Sequence, residues 1–328
     1  MSLSRGSRWN YTPPLPIRSA PFLHWPLDPG ATLRHLLRSW GPLTARVTML
    51  AFALIFWRWL SPSIETTATL SFGWIAAVWV RNLSVMLIVA GGLHLWLYRV
   101  RRQGDELRYD ARPLATNKRI FLFRDQVLDN MALSLGPAVL VWTAAEVLVL
   151  HGYGRGWLSL TSFDSNPVWF LAFILIIPWW SVLYFGVGHR LLHIPGAYRK
   201  VHSWHHKNVN VGPWSGLAMH PIEHLVLFGD IFLLFLVPSH PIHLYFMVLH
   251  HGLGAPLSHT GYDAVILPGG LKFRVGDFHH QLHHRFLECN YGGLESPLDE
   301  MLDTFHDGTA DGDAHMATRR AAIGKATQ

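Results

Sequence analysis

Residues 167–188 read PVWFLAFILIIPWWSVLYFGVG and contain no charged side chain. An α-helix rises about 1.5 Å per residue, so a segment of this length can cross a hydrocarbon core of roughly 30 Å. The segment therefore predicts a membrane-spanning helix. His189 follows it directly, so the expected membrane boundary adjoins the first of several histidine groups.

Further apolar segments predict more spans on the N-terminal side and a shorter hairpin on the C-terminal side. The spans are expected at residues 43–60, 83–98 and 127–150, and the hairpin at residues 225–237 and 242–253. The span at 83–98 is short, so we expect Arg81 to mark its edge or to extend its side chain towards the interface. The chain is thus predicted to be an all-α integral membrane protein with about four transmembrane helices and a re-entrant hairpin.

The composition agrees with a membrane protein. Half of the residues are hydrophobic and only 15% are charged, which is too little charge to cover a soluble globule of this size. The net charge of +6 could indicate nucleic acid or a membrane surface as a partner. The basic residues flank apolar segments and form no separate domain, so the membrane is favoured and nucleic acid is not expected.

The distribution of charge between the expected spans predicts their orientation. Residues 99–124 contain eight basic and three acidic side chains, whereas residues 159–166 contain no basic one. By the positive-inside rule, the N-terminus, the 99–124 loop and everything after residue 188 are expected in the cytoplasm. The protein would then be a multi-pass protein of a bacterial inner membrane or of the endoplasmic reticulum.

Histidines are concentrated in less than half of the chain, where 18 of the 22 lie between residues 151 and 306. His189 and His193 form an HxxxH pair, and residues 202–206 and 280–284 each read HxxHH. Because positions three and four apart share a helix face, we expect each group to direct its imidazoles at a common point. The eight nitrogens are too many for one ion and suit two, and imidazole binds Zn, Cu, Fe or Ni. Cys289 is the only cysteine, which excludes a cysteine-based zinc site.

These three motifs resemble the fatty acid hydroxylase/sterol desaturase superfamily of membrane non-haem di-iron enzymes. Three further segments are similar to sterol desaturase and sterol methyl oxidase members: residues 219–223 (MHPIE), residues 258–263 (SHTGYD) and residues 290–292 (NYG). The resemblance covers roughly residues 150–309.

The resemblance implies a cytosolic helical cap that carries the histidine clusters above a membrane stalk, with two iron ions where cap and membrane meet. It also implies nine iron ligands, which are His189, His193, His202, His205, His206, His259, His280, His283 and His284. His220 and Glu223 are expected near the ligands or at the substrate entrance. His279 competes with His280 for the register of the last cluster.

The function implied is the O2-dependent hydroxylation or desaturation of a sterol-like or fatty-acyl lipid. Electrons would come from a separate NAD(P)H-dependent chain, such as cytochrome b5 or ferredoxin with its reductase, since the chain shows no GxGxxG fingerprint. Two alternatives stay open. Residues 220–224 (HPIEH) match the HxxEH pattern of a zinc metalloprotease, and a metal-binding or metal-transporting membrane protein would also need histidines.

The expected organisation has four parts. Residues 1–42 form a basic cytosolic segment, and residues 43–150 hold the N-terminal membrane helices with the basic 99–124 loop. Residues 151–309 form the hydroxylase-like catalytic domain, and residues 310–328 form a mobile tail.

Overall fold

The computed structural model describes residues 9–326, and of residues 322–326 it describes the backbone alone. Residues 1–8 of the expected N-terminal segment and residues 327–328 of the expected tail lie outside the described part. The N-terminal half contains α1 (Pro29–Ser39), α2 (Ala45–Ile55), α3 (Ile64–Thr67), α4 (Phe72–Arg99) and α5 (Gln126–Gly154). The helix α6 (Pro167–Leu192) follows after a short loop.

The C-terminal half consists of shorter elements. They are α7 (Pro195–Lys200), 3-10 helices at His202–Lys207, Pro213–Leu217 and Phe228–Phe235, α8 (Pro221–Leu227), α9 (Pro241–Gly252), α10 (Gly254–Ser258), the strands β1 (Ala264–Ile266) and β2 (Lys272–Arg274) around a short 3-10 turn at Pro268–Gly270, α11 (Phe278–Phe286), α12 (Leu298–Met301) and α13 (Ala310–Ala326). The two strands pair antiparallel, with Val265 opposite Phe273. This small sheet departs from the purely α-helical prediction, but the chain is mostly helical as expected.

Three helices, α4, α5 and α6, are long and apolar enough to cross a membrane. The predicted spans at 127–150 and 167–188 lie inside α5 and α6. The predicted span at 83–98 lies inside α4, but α4 begins at Phe72, so its predicted start was wrong. The predicted span at 43–60 corresponds to α2 and a five-residue π-helical continuation, Phe56–Leu60. This helix is shorter than the other three, so a fourth span stays a prediction.

Arg81 explains the misplaced start of α4. Its side chain is buried within the helix, forms an ion pair with Glu146 of α5 and bonds the side-chain oxygen of Asn82. It also lies over the ring of Phe56, 4.2 Å from the ring centre. A charge inside a membrane helix is costly unless it is paired within the protein. The sequence around Arg81 contains no acidic neighbour that would reveal this partner, which lies 65 residues away.

The second arm of the expected re-entrant hairpin, residues 242–253, lies largely inside the protein, whereas the first arm, residues 225–237, keeps Leu225, Phe232 and Leu236 exposed. Every residue of α9 except His250 is buried, and α9 packs against α2 and α6. An apolar run of this length is as typical of a core helix as of a membrane hairpin. Burial against the other helices therefore accounts for the apolar character of α9.

The C-terminal residues also differ from their prediction. Residues 310–326, expected to be a mobile tail, form α13, which packs on the remainder of the C-terminal half. Met316 is buried, and Arg320 donates hydrogen bonds to the Phe286 carbonyl and to Glu288. The segment therefore helps to cover α11, which carries the last histidine motif.

Candidate metal centre

The first pair of histidines lies where α6 ends. His189 is in the last turn of the helix and His193 is its C-cap residue, four positions later. Pro195 then begins α7 and prevents α6 from continuing. Positions four apart lie on the same helix face, so both imidazoles leave the helix in one direction.

The two HxxHH motifs lie on separate short helices. His202, His205 and His206 are buried on the 3-10 helix at 202–207. The second motif belongs to α11, which Asp277 caps by accepting a hydrogen bond from the backbone N–H of His280 at 3.0 Å. His280, His283 and His284 are all buried.

The structure brings the nine expected ligands together in two groups. In each group the potential ligand nitrogens all lie within 4.8 Å of one another. One group has five members, which are His189, His193, His202, His206 and His283, and the other has four, which are His205, His259, His280 and His284. These are the only two such groups of His, Cys, Asp or Glu in residues 9–321.

The expectation that each motif directs its imidazoles at one point was wrong. His202 and His206 join the five-member group, whereas His205 joins the four-member group. In the second motif His280 and His284 join the four-member group and His283 joins the other. On α11, an α-helix of 3.6 residues per turn, positions i and i+4 differ by roughly 40°, but i+3 and i+4 differ by roughly 100°. The 3-10 helix at 202–207 divides its histidines between the two groups in the same way. The HxxHH spacing therefore serves two neighbouring centres.

Hydrogen bonds at Nδ1 determine which ring nitrogen of three histidines faces the other members of its group. Nδ1 of His189 lies 2.7 Å from the carbonyl of Tyr291, and Nδ1 of His283 lies 2.6 Å from that of Cys289. Nδ1 of His259 likewise lies 2.8 Å from the carbonyl of Ala255. A carbonyl only accepts hydrogen bonds, so these three Nδ1 atoms carry the proton and Nε2 presents a lone pair.

The donor set fits metal cations better than it fits hydrogen bonding alone. Nε2 of His206 lies 3.0 Å from that of His202, 3.1 Å from that of His283 and 3.2 Å from that of His193. A single N–H proton cannot satisfy several converging nitrogens, and the Nε2 of His283 already presents a lone pair. Lone pairs that face one another in a buried site repel unless a cation lies between them. The residues present therefore suit a bound metal in each group.

The protonation state of the histidines agrees with this arrangement. Burial, and then the neighbouring histidines, lower the pKa of His202, His206, His283 and His284 well below its ordinary value. Burial also lowers the pKa of His259 to about 4. These imidazoles are therefore neutral at pH 7, which is the form that binds metal.

Glu223 contacts the five-member group and His220 does not. The Glu223 carboxylate lies 2.7 Å from Nδ1 of His202, and the side chain is buried. Burial raises the pKa of this carboxyl well above its usual range. The charged carboxylate that accepts from His202 therefore depends on positive charge nearby, which a metal bound in the group would supply. His220 instead caps α8, where its Nδ1 accepts from the N–H of Ile222, and its ring packs against Trp204.

The HxxEH pattern does not assemble a metal site of its own. Neither His220 nor His224 belongs to either histidine group. His224 is buried, and neither of its ring nitrogens has a hydrogen-bond partner among the described residues. Glu223 instead contacts His202, which belongs to the five-member group. The three residues of the pattern therefore face three different surroundings.

The structure shows which of the adjacent residues His279 and His280 belongs to the last histidine cluster. His280 is in the four-member group, whereas His279 faces the other side of α11. The ring of His279 packs on Phe305, and its Nε2 lies 3.9 Å from Asp299. His280, and not His279, is therefore the member of the cluster that can bind metal.

Asp299 holds the loop that orients His189, a role that the sequence did not reveal. Its carboxylate accepts hydrogen bonds from the N–H groups of Tyr291 and Gly292 and from the side chain of Arg190. These bonds fix the Tyr291 carbonyl that faces His189. The NYG segment at residues 290–292 was a signal for this loop, but nothing in the sequence connected it to Asp299.

A cavity of about 220 Å³ adjoins the two groups. Five of the nine histidines contribute to its wall, namely His189, His202, His205, His259 and His280. Most of the remaining wall is apolar and includes Val182, Phe185, Leu192, Val226 and Leu227. The α6 residues on the wall recur at three- and four-residue spacing, so one face of a candidate membrane helix leads to the histidines. Such a cavity suits an apolar ligand.

Comparison with known proteins gives relatives for the part of the chain that contains this centre. Residues 170–304 match the family model described as fatty acid hydroxylase. A Delta(7)-sterol 5(6)-desaturase from Gibberella zeae is 29% identical over 141 residues, which cover 43% of this chain and 40% of that protein. A Delta(7)-sterol-C5(6)-desaturase from Nicotiana tabacum is 24% identical over 70% of this chain and 83% of that protein.

A methylsterol monooxygenase 1 from Danio rerio is 31% identical over 118 residues, which cover 35% of this chain and 40% of that protein. The chain thus spans well under two thirds of the length of the Gibberella and Danio relatives. No solved structure matches the chain.

Proposed function

Because the chain belongs to the fatty acid hydroxylase/sterol desaturase superfamily, we propose that it is a membrane-bound oxidoreductase that hydroxylates or desaturates a lipid with two bound iron ions. The observation that carries this proposal is the pair of neighbouring imidazole groups beside a mostly apolar cavity. We assign the activity to residues 151–309, and the family match at 170–304 supports that assignment.

The donor set and the chemistry together favour iron. Imidazole binds several transition metals, but zinc has no redox chemistry. Iron in the two groups would supply the O2-dependent redox chemistry that an unactivated C–H bond requires. The chain's own residues hold the ligand set: the carbonyls of Tyr291, Cys289 and Ala255 fix the rings of His189, His283 and His259. Glu223 orients His202 in the same way.

The substrate that we propose is a sterol-like or fatty-acyl lipid. The wall contributed by α6 would let a lipid reach the histidines without leaving the apolar environment of the membrane. The cavity is smaller than the roughly 300–1,000 Å³ that encloses a drug-sized ligand, so it encloses the reacting part of a lipid. The similarity to two sterol desaturases and a methylsterol monooxygenase favours the sterol-like class.

The proposed reaction consumes O2 and needs electrons from outside the chain. We propose an NAD(P)H-dependent donor, such as cytochrome b5 or ferredoxin with its reductase, that docks on the cytoplasmic side. The basic 99–124 loop supports this assignment, because most of its charged side chains, including Lys118, Arg119 and Arg124, are exposed. Purified protein should then turn over a lipid only when carrier and reductase accompany the nicotinamide.

Metal analysis of single variants tests the proposal. Anaerobically prepared protein should contain about two irons per chain, because nine imidazoles suit two ions. His205→Ala removes a donor from the four-member group and should lower the content to about one. His220→Ala is the matched control, since His220 belongs to neither group, and should retain both metals.

The zinc protease alternative expects the reverse pattern. Its single metal would depend on His220 and His224 and would survive His205→Ala. A metal transporter would hold its ligands near the membrane midplane, whereas His189 and His193 lie at the end of α6. Native protein that holds a single metal per chain, and keeps it in both the His205→Ala and the His283→Ala variant, would contradict the di-iron proposal.

A further inference from the structure

The polar atoms on the wall of the cavity fall into two classes. Some are already occupied: the Tyr184 hydroxyl donates to the Val226 carbonyl at 2.8 Å, and the Ser258 hydroxyl donates to the Ala255 carbonyl at 3.1 Å. His251 is likewise bonded to Asp230, at 2.8 Å. These groups are used within the protein and leave little capacity for a ligand.

Two residues of the wall, outside the histidine groups, each have a buried side-chain atom without a hydrogen-bond partner among the described residues. These atoms are Oγ of Ser181 on α6 and Nε2 of His250 on α9. Both atoms are buried, and Ser181 as a residue is only 4% exposed. Leaving a buried polar group without a hydrogen bond carries a free-energy cost. A ligand that satisfies both atoms would recover that cost.

The hydrogen-bonding capacity of the two atoms is complementary. Nδ1 of His250 lies 2.7 Å from the Phe246 carbonyl and therefore carries the proton, so Nε2 is an acceptor. The Ser181 hydroxyl can donate. An alcohol has one O–H to donate and lone pairs to accept with, so one hydroxyl group carries both the donor and the acceptor that these two atoms lack.

The position of the pair suits recognition of a lipid remote from the reacting carbon. Ser181 lies eight residues before His189 on α6, which corresponds to about 12 Å along the helix axis. The wall of α6 between them carries Val182 and Phe185. α9 packs against α6, so His250 reaches the same cavity from the opposing helix.

We propose that Ser181 and His250 bind the hydroxyl group of a lipid alcohol and thereby select which carbon reaches the histidine groups. The lipid hydroxyl donates to Nε2 of His250 and accepts from the hydroxyl of Ser181. The substrate class is an apolar alcohol whose hydroxyl lies on the order of 10 Å from the oxidised carbon. This inference rests on the proposed function, because it assigns the cavity to the lipid substrate.

Binding to the metal-loaded protein in lipid nanodiscs tests the pair. The probes are cholesterol with its 3-deoxy analogue, and hexadecanol with hexadecane, which separate ring alcohols from chain alcohols. The native protein should bind one alcohol at least about fivefold more tightly than its deoxy partner. Ser181→Ala together with His250→Leu should abolish this preference, and His250→Gln, which keeps an acceptor, should retain part of it.

Tyr184→Phe is the matched control, because Tyr184 lines the same cavity but its hydroxyl is already bonded to Val226. This variant should keep the preference of the native protein. Equal binding of each alcohol and its deoxy partner by the native protein would overturn the inference. So would failure to bind either alcohol, or a preference that survives the double variant.

Metal content measured on the same samples separates the two proposals. Native protein that holds two irons but shows no alcohol preference contradicts the hydroxyl pocket alone. Native protein that binds alcohols selectively but holds no metal at the histidines contradicts the proposed oxidoreductase function.

Discussion

Replacing Glu223 by glutamine should weaken metal binding in the five-member group without removing a ligand. The Glu223 carboxylate accepts the Nδ1–H of His202 at 2.7 Å, in a position where both side chains are buried. Glutamine keeps the length of the side chain and an acceptor oxygen but loses the negative charge. The charge makes His202 a stronger donor of its Nε2 lone pair, so its loss lowers metal affinity.

The magnitude follows from the kind of contact that is changed. Replacing a group that hydrogen-bonds a metal-ligating histidine typically costs 10–100-fold in metal affinity. Glu223→Gln retains the hydrogen bond and should lie near the lower end, at about tenfold or 1.4 kcal/mol. Glu223→Ala leaves the Nδ1–H of His202 without its acceptor in a buried position and should approach about a hundredfold.

A chelator titration at fixed pH measures the effect, with iron retained per chain as the readout. Asp230→Asn is the control, because Asp230 is also buried and also bonded to a histidine, at 2.8 Å from His251. His251 belongs to neither metal group among the described residues, so this variant should lose iron as the native protein does. Equal chelator sensitivity of Glu223→Gln and Asp230→Asn would refute the assigned role of Glu223.

Two further predictions concern the membrane part of the chain. Arg81→Leu alone leaves the buried Glu146 carboxylate without its ion-pair partner. It should therefore lower the free energy of unfolding by about 3–5 kcal/mol. Adding Glu146→Leu should restore much of it; thermal unfolding in detergent decides, and strictly additive losses would contradict the pairing. For topology, native Cys289 should resist thiol reagents on both sides of the membrane, because it is buried and burial raises the pKa of its thiol. In a Cys289→Ser background, an impermeant maleimide applied to intact cells should label Asp164→Cys and not Lys118→Cys, and the opposite result would reverse the orientation.

The sequence was most informative where structure depends on near neighbours. The uninterrupted apolar segment at 167–188 predicted α6, and the three spaced motifs singled out eight of the histidines that come together, although not how they divide between the two groups. Both patterns act within one or two helical turns, so the identity of distant residues hardly affects them. The nine histidines singled out from the sequence are the nine that the structure gathers into two groups.

Features that depend on residues far apart in the chain were mispredicted or missed. Arg81 looked like the edge of a span because Glu146, its partner, is in another helix. The α9 segment looked like one arm of a membrane hairpin because hydropathy does not distinguish contact with lipid from contact with protein. The hydrogen bonds between Asp299 and the 290–292 loop could not be predicted from the sequence, because no local pattern connects the two segments.

The division of each HxxHH motif between two groups explains why the motif has members at both i+3 and i+4. If both motifs served one ion each, any two or three positions on a shared face would suffice. Residues i and i+4 instead reach one group while i+3 reaches the other, so each short helix connects the two groups. A shift of either helix would therefore disturb both groups together. Two metals bound in these groups would have their separation set by the same two helices, which would not be so for two independent sites on separate loops. The arrangement therefore favours two metals acting on one substrate over two separate structural ions.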